Sequence, residues 1–232
     1  MALWVLLCGF LVSLPAHAWS PMVDRERMQS ERFQRWVAKQ KGPVERDGYL
    51  TTAGVFQAAS GLNRARSGVV QPMLIGHSVE RRPIWAFRVR RPDEEVHTKI
   101  LVFAGIHALE WISTQTASHA LNALALAPPR GVEVVVVPLL NPDGRARVES
   151  DLAAGVRQYR RGNARHVDLN RDFAVNREAK AVWRHIIPGY YRSSRAPLSQ
   201  PETRALDRLL DRERFDVALS LHAFGGFVYT PW

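Results

Sequence analysis

A strand–helix–strand pattern in the middle of the chain constrains the fold more than any other feature. Two apolar runs, at 100–104 and 132–140, flank a segment with helical character at 113–125. A unit of this length places its two strands parallel and adjacent, in a sheet that is covered on both faces. Ser113 or Thr114 is expected to cap the helix. The central residues therefore predict an α/β domain.

Further strands extend this predicted sheet on either side. Residues 72–75 and 84–89 have strand character and are separated by a turn at 76–83, so we expect them to pair antiparallel. Residues 215–221 predict a third buried strand after the central unit. Together these segments predict a three-layer α/β/α domain whose sheet is mixed and largely parallel.

Helical patterns surround the strands. Helices are expected at 31–40, at 51–62 and at 174–186, with Gly61 and Asn63 ending the second. Another helix, running to about residue 212, is predicted to open at the capping box of 199–202. Residues 141–172, between the second central strand and the helix at 174–186, are predicted to form a long polar connection of the kind that carries function.

Polar side chains follow three of the predicted strands. His107 and Glu110 come after the first central strand, Asn141 and Asp143 after the second, and His222 after the third. The carboxyl ends of parallel strands meet at one sheet edge, so these groups can converge. Zinc binds imidazole and carboxylate readily, and a catalytic zinc uses three protein ligands and keeps one position open. Alternatively, His222 is a hydrogen-bonded core histidine.

The first residues have the pattern of a secretory signal. Residues 2–14 are apolar but too short to span a bilayer, and Ala16-His17-Ala18 matches a signal-peptidase site. The segment before the apolar run lacks Lys and Arg, so a hydrophobic N-terminus that is not cleaved is the alternative. We expect a signal peptide at 1–18, an N-terminal extension at 19–48 and one catalytic domain at 49–232. The protein would be secreted or periplasmic, without a membrane anchor after cleavage.

Cysteine use restricts the metal chemistry. The only cysteine, Cys8, lies inside the predicted signal peptide. After cleavage the chain would hold no thiol, which excludes disulfides and cysteine-ligated metal. Any zinc must then be held by histidine and carboxylate.

The chain is strongly basic, with a formal net charge of +10. Such a charge suits an anionic polymer, nucleic acid or an acidic substrate. The basic residues are spread along the chain among acidic ones, and no nucleic-acid motif is present. This distribution favours a solvated basic surface, and we expect no nucleic acid partner.

Several separated motifs resemble those of one enzyme family, in the same order along residues 49–232. They are the early hairpin at 76–84, the first zinc motif at 105–111, the substrate-carboxylate motif at 141–144, 161–163 and 168–173, and the third-ligand motif at 220–226. Taken jointly, they resemble the zinc metallocarboxypeptidases of the carboxypeptidase A type. The resemblance implies the fold predicted above.

The resemblance also implies a role for each matching residue. His107, Glu110 and His222 would bind one Zn²⁺ per chain, and a zinc-activated water would attack the scissile carbonyl. Asn170 and Arg171 would hold the substrate's C-terminal carboxylate, because a guanidinium grips a carboxylate through two hydrogen bonds. A structural ion pair is the alternative for Arg171.

Three further residues receive supporting roles. Arg161 would stabilise the oxyanion, since it stands two residues before Asn163 as in the family's Arg-x-Asn motif, and Arg160 is the alternative. Asp143 and Asp168 would orient His107 and the surrounding loop, or would simply form turns.

The sequence departs from the family pattern at two places. Leu109 stands where close relatives often carry arginine. The family's general-base glutamate, a mobile tyrosine and the specificity pocket all lie beyond the third ligand, but the sequence ends at Trp232. Asp172 and Glu202 are nearby acids outside any base-like motif. We therefore expect a C-terminally truncated sequence with C-terminal strands missing, which would leave the strand at 215–221 with an unpaired edge.

The expected function is zinc-dependent hydrolysis of C-terminal residues from peptides that carry a free C-terminal carboxylate. Cell-wall peptides are one candidate substrate class. The alternative is a catalytically silent zinc protein that binds peptide C-termini and lacks the general base. A basic polyanion-binding protein is a third hypothesis, based on charge alone.

Overall fold

The computed structural model describes residues 21–175, 177, 192–223, 226, 228 and 229. Within them, the helices are α1 (Pro21–Val37), α2 (Thr52–Ala65), α3 (Trp111–Leu126), α4 (Pro142–Ala153) and α5 (Pro201–Glu213), with a 3-10 helix at Leu169–Arg171. The strands are β1 (Glu45–Arg46), β2 (Tyr49–Leu50), β3 (Val70–His77), β4 (Pro83–Val89), β5 (Thr98–Phe103), β6 (Val132–Val137) and β7 (Val217–Ser220). The predicted signal peptide lies outside the described residues, as does the helix predicted at 174–186, apart from residues 174, 175 and 177.

Five of the strands form one mixed sheet in the order β3-β4-β6-β5-β7. Strand β4 pairs antiparallel with both β3 and β6, whereas β5 pairs parallel with both β6 and β7. The antiparallel hairpin and the parallel strand–helix–strand unit predicted from the sequence are both confirmed. The three parallel strands β6, β5 and β7 end at the same edge of the sheet.

Alternate residues of each strand pack on opposite faces, which creates three layers. On β6, Val134 and Val136 belong to one buried cluster, and Val135 and Val137 belong to the other. The first cluster contains apolar residues of α1, α2 and α3, and the second contains the buried face of α5. Because side chains alternate along a strand, a sheet with helices on both faces needs apolar residues at nearly every position.

An aromatic cluster attaches α1 to this core. Phe33 has no exposed surface, and its ring centroid lies 5.0 Å from that of Trp85 and 5.1 Å from that of Phe87. Trp36 meets Phe56 of α2 edge-on at 4.9 Å. Buried aromatic pairs stabilise through area and ring geometry together, so the helix of the predicted N-terminal extension shares its core with the sheet.

Two predicted helix caps are wrong. Helix α3 begins one turn earlier than Ser113, with Glu110 at the N-cap, and the Ser113 hydroxyl donates to the Glu110 carbonyl at 2.7 Å. Helix α5 has Gln200 at its N-cap, and the Ser199 hydroxyl donates to Asp172 at 2.9 Å. The Ser113 hydroxyl thus bonds back to the carbonyl of the N-cap residue itself, whereas the Ser199 hydroxyl bonds to a residue distant in sequence, since serine hydroxyls can bond to nearby backbone or to tertiary neighbours.

Three other predictions also need correction. Residues 142–153 of the expected polar connection form α4, whose N-cap Asn141 accepts from Gly144 N. Helix α2 continues past Gly61 and Asn63, because the Asn63 amide donates to Val70 O at 2.9 Å and is satisfied there. Strand β7, predicted as buried, lies at the sheet edge with Val217 and Leu219 exposed.

Among the described helices, none is long and apolar enough to cross a membrane.

Candidate metal centre

The turn after β5 is shaped by Gly105. This residue has a φ of +62°, which L side chains rarely adopt, and a Cβ there would lie 2.8 Å from Leu139 Cδ1 and from Thr114 Oγ1. At this left-handed residue the chain leaves the direction of β5, and His107 and Glu110 follow directly. Both side chains are buried, with 1% and 3% of the residue exposed.

His222 approaches the same place from the neighbouring strand. Strand β7 ends at Ser220, and Leu221 N donates to Phe103 O at 2.9 Å, so the two strand ends stay side by side. The ring centroids of His107 and His222 are 4.9 Å apart. The parallel pairing of β5 and β7 therefore brings together two residues that are 115 positions apart in sequence.

These three side chains point their ligand atoms at one another. His107 Nδ1 lies 2.8 Å from Glu110 Oε1 and 3.2 Å from His222 Nδ1, and His222 Nδ1 lies 3.1 Å from Glu110 Oε2. They form a group whose ligand atoms all lie within 4.8 Å of one another. Two facing ring nitrogens cannot satisfy each other unless one carries a proton, whereas a cation between them satisfies both.

The spacing of these atoms suits zinc. Zinc–nitrogen and zinc–oxygen bonds of about 2.0–2.1 Å in a tetrahedron separate neighbouring ligand atoms by about 3.4 Å. The observed separations of 2.8–3.2 Å lie slightly below that value. Two imidazoles and one carboxylate are also the donor types that zinc prefers in catalytic sites. The residues present therefore fit the ion.

A buried carboxylate fixes the orientation of His107. Its Nε2 lies 3.0 Å from Asp168 Oδ1. When Nε2 carries the proton and donates to Asp168, the lone pair on Nδ1 faces Glu110 and His222, as a metal ligand requires. The predicted orienting role of Asp168 thus has a direct contact behind it.

The carboxylates of this site stay ionised. Burial by itself raises the pKa of Asp168, but the His107 hydrogen bond and the Arg161 charge outweigh burial and lower that pKa to about 2. For Glu110, burial likewise opposes ionisation, and the hydrogen bonds from His107 and His222 lower its pKa well below the ordinary value. Arg161 offsets one of these two negative charges, and a cation at the centre would neutralise the remainder.

Arg161 and Arg160 point to different places. Arg161 donates from Nε to Asp168 Oδ2 at 2.9 Å, and its Nη1 lies 3.3 Å from Glu110 Oε1. Arg160 instead pairs with Asp151 at the end of α4. Of these two guanidiniums, only that of Arg161 borders the metal ligands.

Asn170 and Arg171 lie in the 3-10 helix that starts after Asp168. Asn170 N donates to Asp168 Oδ1 at 2.9 Å, and Arg171 N donates to Asp168 O at 2.9 Å. Both residues are half-buried, and the Arg171 guanidinium donates to the Asn170 carbonyl at 3.1 Å. Asp168 thus joins the His107 ring to the segment that carries these two residues.

Asp143, unlike Asp168, bonds away from the metal ligands. Its carboxylate accepts from Ser78 Oγ at 2.6 Å, from Glu80 N at 2.8 Å and from Arg82 Nη1 at 2.7 Å. The prediction that Asp143 orients His107 is wrong. Its buried position beside the β3–β4 turn makes it an anchor for that turn.

The two acids considered as a substitute base have internal partners. Asp172 accepts from Thr203 Oγ1, from Ser199 Oγ at 2.9 Å and from Gln200 N at 2.9 Å. Glu202 accepts from Val79 N at 3.2 Å and from Asn163 Nδ2 at 3.2 Å. Both carboxylates hold segments together instead of facing the metal ligands.

Four contacts that build the site were not predicted from the sequence. Asn141 Nδ2 donates to Ile106 O at 3.2 Å and to Gly162 O at 3.1 Å, so it ties the His107 turn to the Arg161 loop. Ser220 Oγ lies 3.0 Å from His222 Nε2. Ala223 N donates to Glu110 Oε2 at 3.1 Å. All three residues stand in motifs that the sequence singled out, at 141–144 and 220–226, but those motifs did not indicate these contacts.

Known proteins resemble this chain in both sequence and fold. Bovine carboxypeptidase O is 23% identical over 207 residues, which cover 79% of this chain and 52% of that protein. The uncharacterised protein YqgT of Bacillus subtilis is 28% identical over 185 residues, covering 67% and 49% respectively. The chain thus spans about half the length of these two relatives.

Solved structures show the same fold. Carboxypeptidase A from Helicoverpa armigera matches with a TM-score of 0.64 at 21% identity, covering 88% of this chain and 54% of that one. Bovine thrombin-activatable fibrinolysis inhibitor, solved with a tick carboxypeptidase inhibitor, matches with a TM-score of 0.64 at 20% identity, covering 76% and 61%. The sequence model of the zinc carboxypeptidases matches residues 56–232, well over half of the chain. This protein therefore belongs to the zinc carboxypeptidase family.

Proposed function

We propose that this protein is a zinc-dependent carboxypeptidase that removes C-terminal residues from peptides. The observation that carries the proposal is the convergence of His107, Glu110 and His222 at the carboxyl edge of the sheet, with their ligand atoms within 4.8 Å. When bound there, zinc supplies Lewis-acid chemistry that polarises the scissile carbonyl and promotes ionisation of water.

Two residues of the segment that Asp168 holds suit a substrate with a carboxylate end. Asn170 and Arg171 would bind the C-terminal carboxylate, because a guanidinium and an amide together donate several hydrogen bonds to its oxygens. Their attachment to Asp168 would keep the bound carboxylate at a constant distance from His107. Peptides with an amidated C-terminus would lose this interaction.

Arg161 would act on the reacting carbonyl. Its guanidinium already borders Glu110 and is largely withdrawn from solvent, with 10% of the side chain exposed. A cation in such a place stabilises negative charge that develops on the carbonyl oxygen more than it would in water. Asp168 orients this guanidinium and the His107 ring at the same time.

The decisive experiment is release of the C-terminal amino acid from short peptides by the protein isolated from its native source. Peptides with free and amidated C-termini are compared, before and after chelation and readdition of zinc. We expect release from the free-carboxylate peptide only, lost on chelation and restored by zinc. Protein and cell-wall peptides are tested side by side to define the substrate class.

His222→Ala and His119→Ala serve as the variant pair. His119 is an exposed histidine of α3 whose contact with Gln115 lies apart from the metal ligands, so His119→Ala should retain activity while His222→Ala loses it. Zinc-dependent binding of the free-carboxylate peptide without any release would contradict hydrolysis and select a peptide-binding protein. Release that survives chelation would contradict the zinc mechanism.

Export is part of the proposed function. The apolar segment and the cleavage pattern at 1–18 support a cleaved signal peptide. The N-terminal sequence of the natural protein tests this directly. A start near Trp19 is expected, and an N-terminus that retains residues 1–18 would contradict it.

A further inference from the structure

A concave basin lies where three segments meet: the β3–β4 turn, the loop after Asn163 and the start of α5. Its volume is about 530 Å³. It is lined by His77, Ser78, Val79, Arg81, Arg165, Pro201 and Arg204. We call this surface the arginine basin. Three of its seven lining residues are arginines, each from a different segment, and none is acidic.

The arginines of the basin are not neutralised by ion pairs. Arg81, Arg165 and Arg204 are exposed, and among the described residues none of the three has a carboxylate within salt-bridge distance. Arg204 donates only to the carbonyls of Leu198 and Ser199. Three like charges that converge repel one another, and an anion bound between them relieves this repulsion.

The acids close to the basin already have partners. Glu80 lies 2.8 Å from Arg147 Nη2 and also pairs with Arg82. Asp143 accepts from Arg82 and from the turn backbone. The third acid, Glu202, is fully buried beneath the basin, and its burial raises its pKa. The local balance of charge therefore remains positive.

Buried contacts hold the three segments in place. Glu202 at the start of α5 accepts from Val79 N of the turn at 3.2 Å and from Asn163 Nδ2 of the loop at 3.2 Å. The turn itself is closed by Arg81 N, which donates to Ser78 O at 3.0 Å. One buried carboxylate thus connects all three arginine-bearing segments, so the basin is formed before any ligand arrives, which lowers the entropic cost of binding.

We propose that the arginine basin binds a phosphate group, free or carried as a monoester. Guanidiniums match phosphate oxygens with paired, charge-assisted hydrogen bonds. Among the described residues, those lining the basin make no hydrogen bond to His107, Glu110 or His222. Phosphate binding at the basin uses none of the proposed metal ligands and does not depend on the proposed hydrolysis.

The test is calorimetric titration of the full chain with inorganic phosphate and with glycerol phosphate, at an ionic strength held constant with potassium chloride. The triple variant Arg81→Gln, Arg165→Gln, Arg204→Gln removes the basin charge. The control triple variant Arg27→Gln, Arg35→Gln, Arg130→Gln removes the same charge from side chains that are 70%, 69% and 81% exposed elsewhere.

We expect the natural chain and the control variant to bind phosphate saturably with 1:1 stoichiometry. The affinity of the basin variant for phosphate should be at least about tenfold lower, because it loses the charge-assisted hydrogen bonds of three guanidiniums. Circular dichroism and cooperative urea unfolding show whether both variants fold. Tighter binding of inorganic phosphate than of glycerol phosphate would identify free phosphate as the ligand. Tighter binding of glycerol phosphate would identify a phosphate monoester as the ligand. Equal affinity in the basin variant and the natural chain would overturn the proposal, as would the absence of saturable binding to the natural chain.

Discussion

The guanidinium carbon of Arg145 lies 3.5 Å from the centroid of the Trp111 ring. Trp111 is the first residue of α3 and directly follows Glu110. Arg145 is 2% exposed, donates to Leu50 O at 2.6 Å and pairs with Glu149 at 3.1 Å. A buried cation therefore packs against the residue adjacent to a proposed zinc ligand and links it to the segment before α2.

Replacing Arg145 should destabilise the protein more than replacing a neighbouring arginine. Arg145→Met leaves the Leu50 carbonyl without its donor and removes the stacking on Trp111, which costs on the order of 2–4 kcal/mol. Arg147→Met, in the same helix, removes a partly exposed pair with Glu80 and should cost less than about 1 kcal/mol. Urea unfolding monitored by fluorescence measures both. Equal losses would show that the Trp111 contact contributes nothing.

Loss of the Asp168 carboxylate charge should weaken metal binding although the residue is not itself a proposed ligand. Asp168→Asn removes the anionic acceptor for His107 Nε2, so the ring loses its fixed tautomer and orientation. An effect of roughly 10–100-fold on zinc affinity is expected. Competition with a chromophoric chelator measures that affinity. Asp143→Asn is the control, since Asp143 bonds to the β3–β4 turn, and its zinc affinity should stay unchanged.

His222→Ala should abolish stoichiometric zinc binding. The substitution removes one of the three proposed ligands, and two remaining ligands from a single turn hold zinc weakly. Metal analysis after dialysis should give close to one zinc per chain for the natural protein and for His119→Ala. A full complement of zinc in His222→Ala would show that the ion binds elsewhere.

The two adjacent arginines should differ in their effect on catalysis. Arg161→Gln removes the cation beside Glu110 and should lower kcat about 10²–10³-fold, the range for loss of one oxyanion donor. Arg160→Gln breaks contacts with Asp151 and Gln158, neither of which is a proposed metal ligand, and should leave kcat nearly unchanged. Steady-state kinetics on one peptide substrate compares them. The opposite ranking would transfer the proposed role to Arg160.

Asp172 should make stability depend on acid pH. Burial opposes its ionisation, but hydrogen bonds from Ser194, Thr203 and Gln200 N lower its pKa below the ordinary 3.8. A depressed pKa stabilises the fold fully above about pH 4, and this contribution is lost as the pH falls through the lower folded value.

Asp172→Asn tests this assignment. At pH 7 the free energy of unfolding of the variant should be about 1–3 kcal/mol lower, because the donors of Ser194, Ser199, Gln200 and Thr203 lose a charged acceptor. As the pH falls from about 4 towards the lower folded pKa, where an aspartate with a depressed pKa loses its contribution, the stability of the variant should change less than that of the natural protein. Asp211→Asn, at an exposed position of α5, should follow the natural profile. Identical profiles for both variants would contradict the role of Asp172.

Much of the fold follows from local pattern. The apolar runs around β5 and β6 predicted parallel neighbours, and the register Ile100 to Val134 confirms them. This succeeds because a strand that is buried on both faces needs continuous apolar residues, a requirement that is visible in sequence alone. Element ends were less accurate: α3 begins at Trp111 with Glu110 at its N-cap, and the Ser113 hydroxyl bonds back to the Glu110 carbonyl instead of capping the helix.

The sequence by itself determined which residues could bind metal, since His107, Glu110 and His222 each follow a predicted strand. Their convergence depended on the order of strands, which places β7 beside β5, and on the turn at Gly105. The partners of the acids were decided only by tertiary structure. Asp168 bonds to His107, whereas Asp143 bonds to Ser78 and Glu80. A carboxylate accepts hydrogen bonds from the donors that tertiary packing brings to within about 3 Å. The residues beside it in sequence do not determine which donors these are.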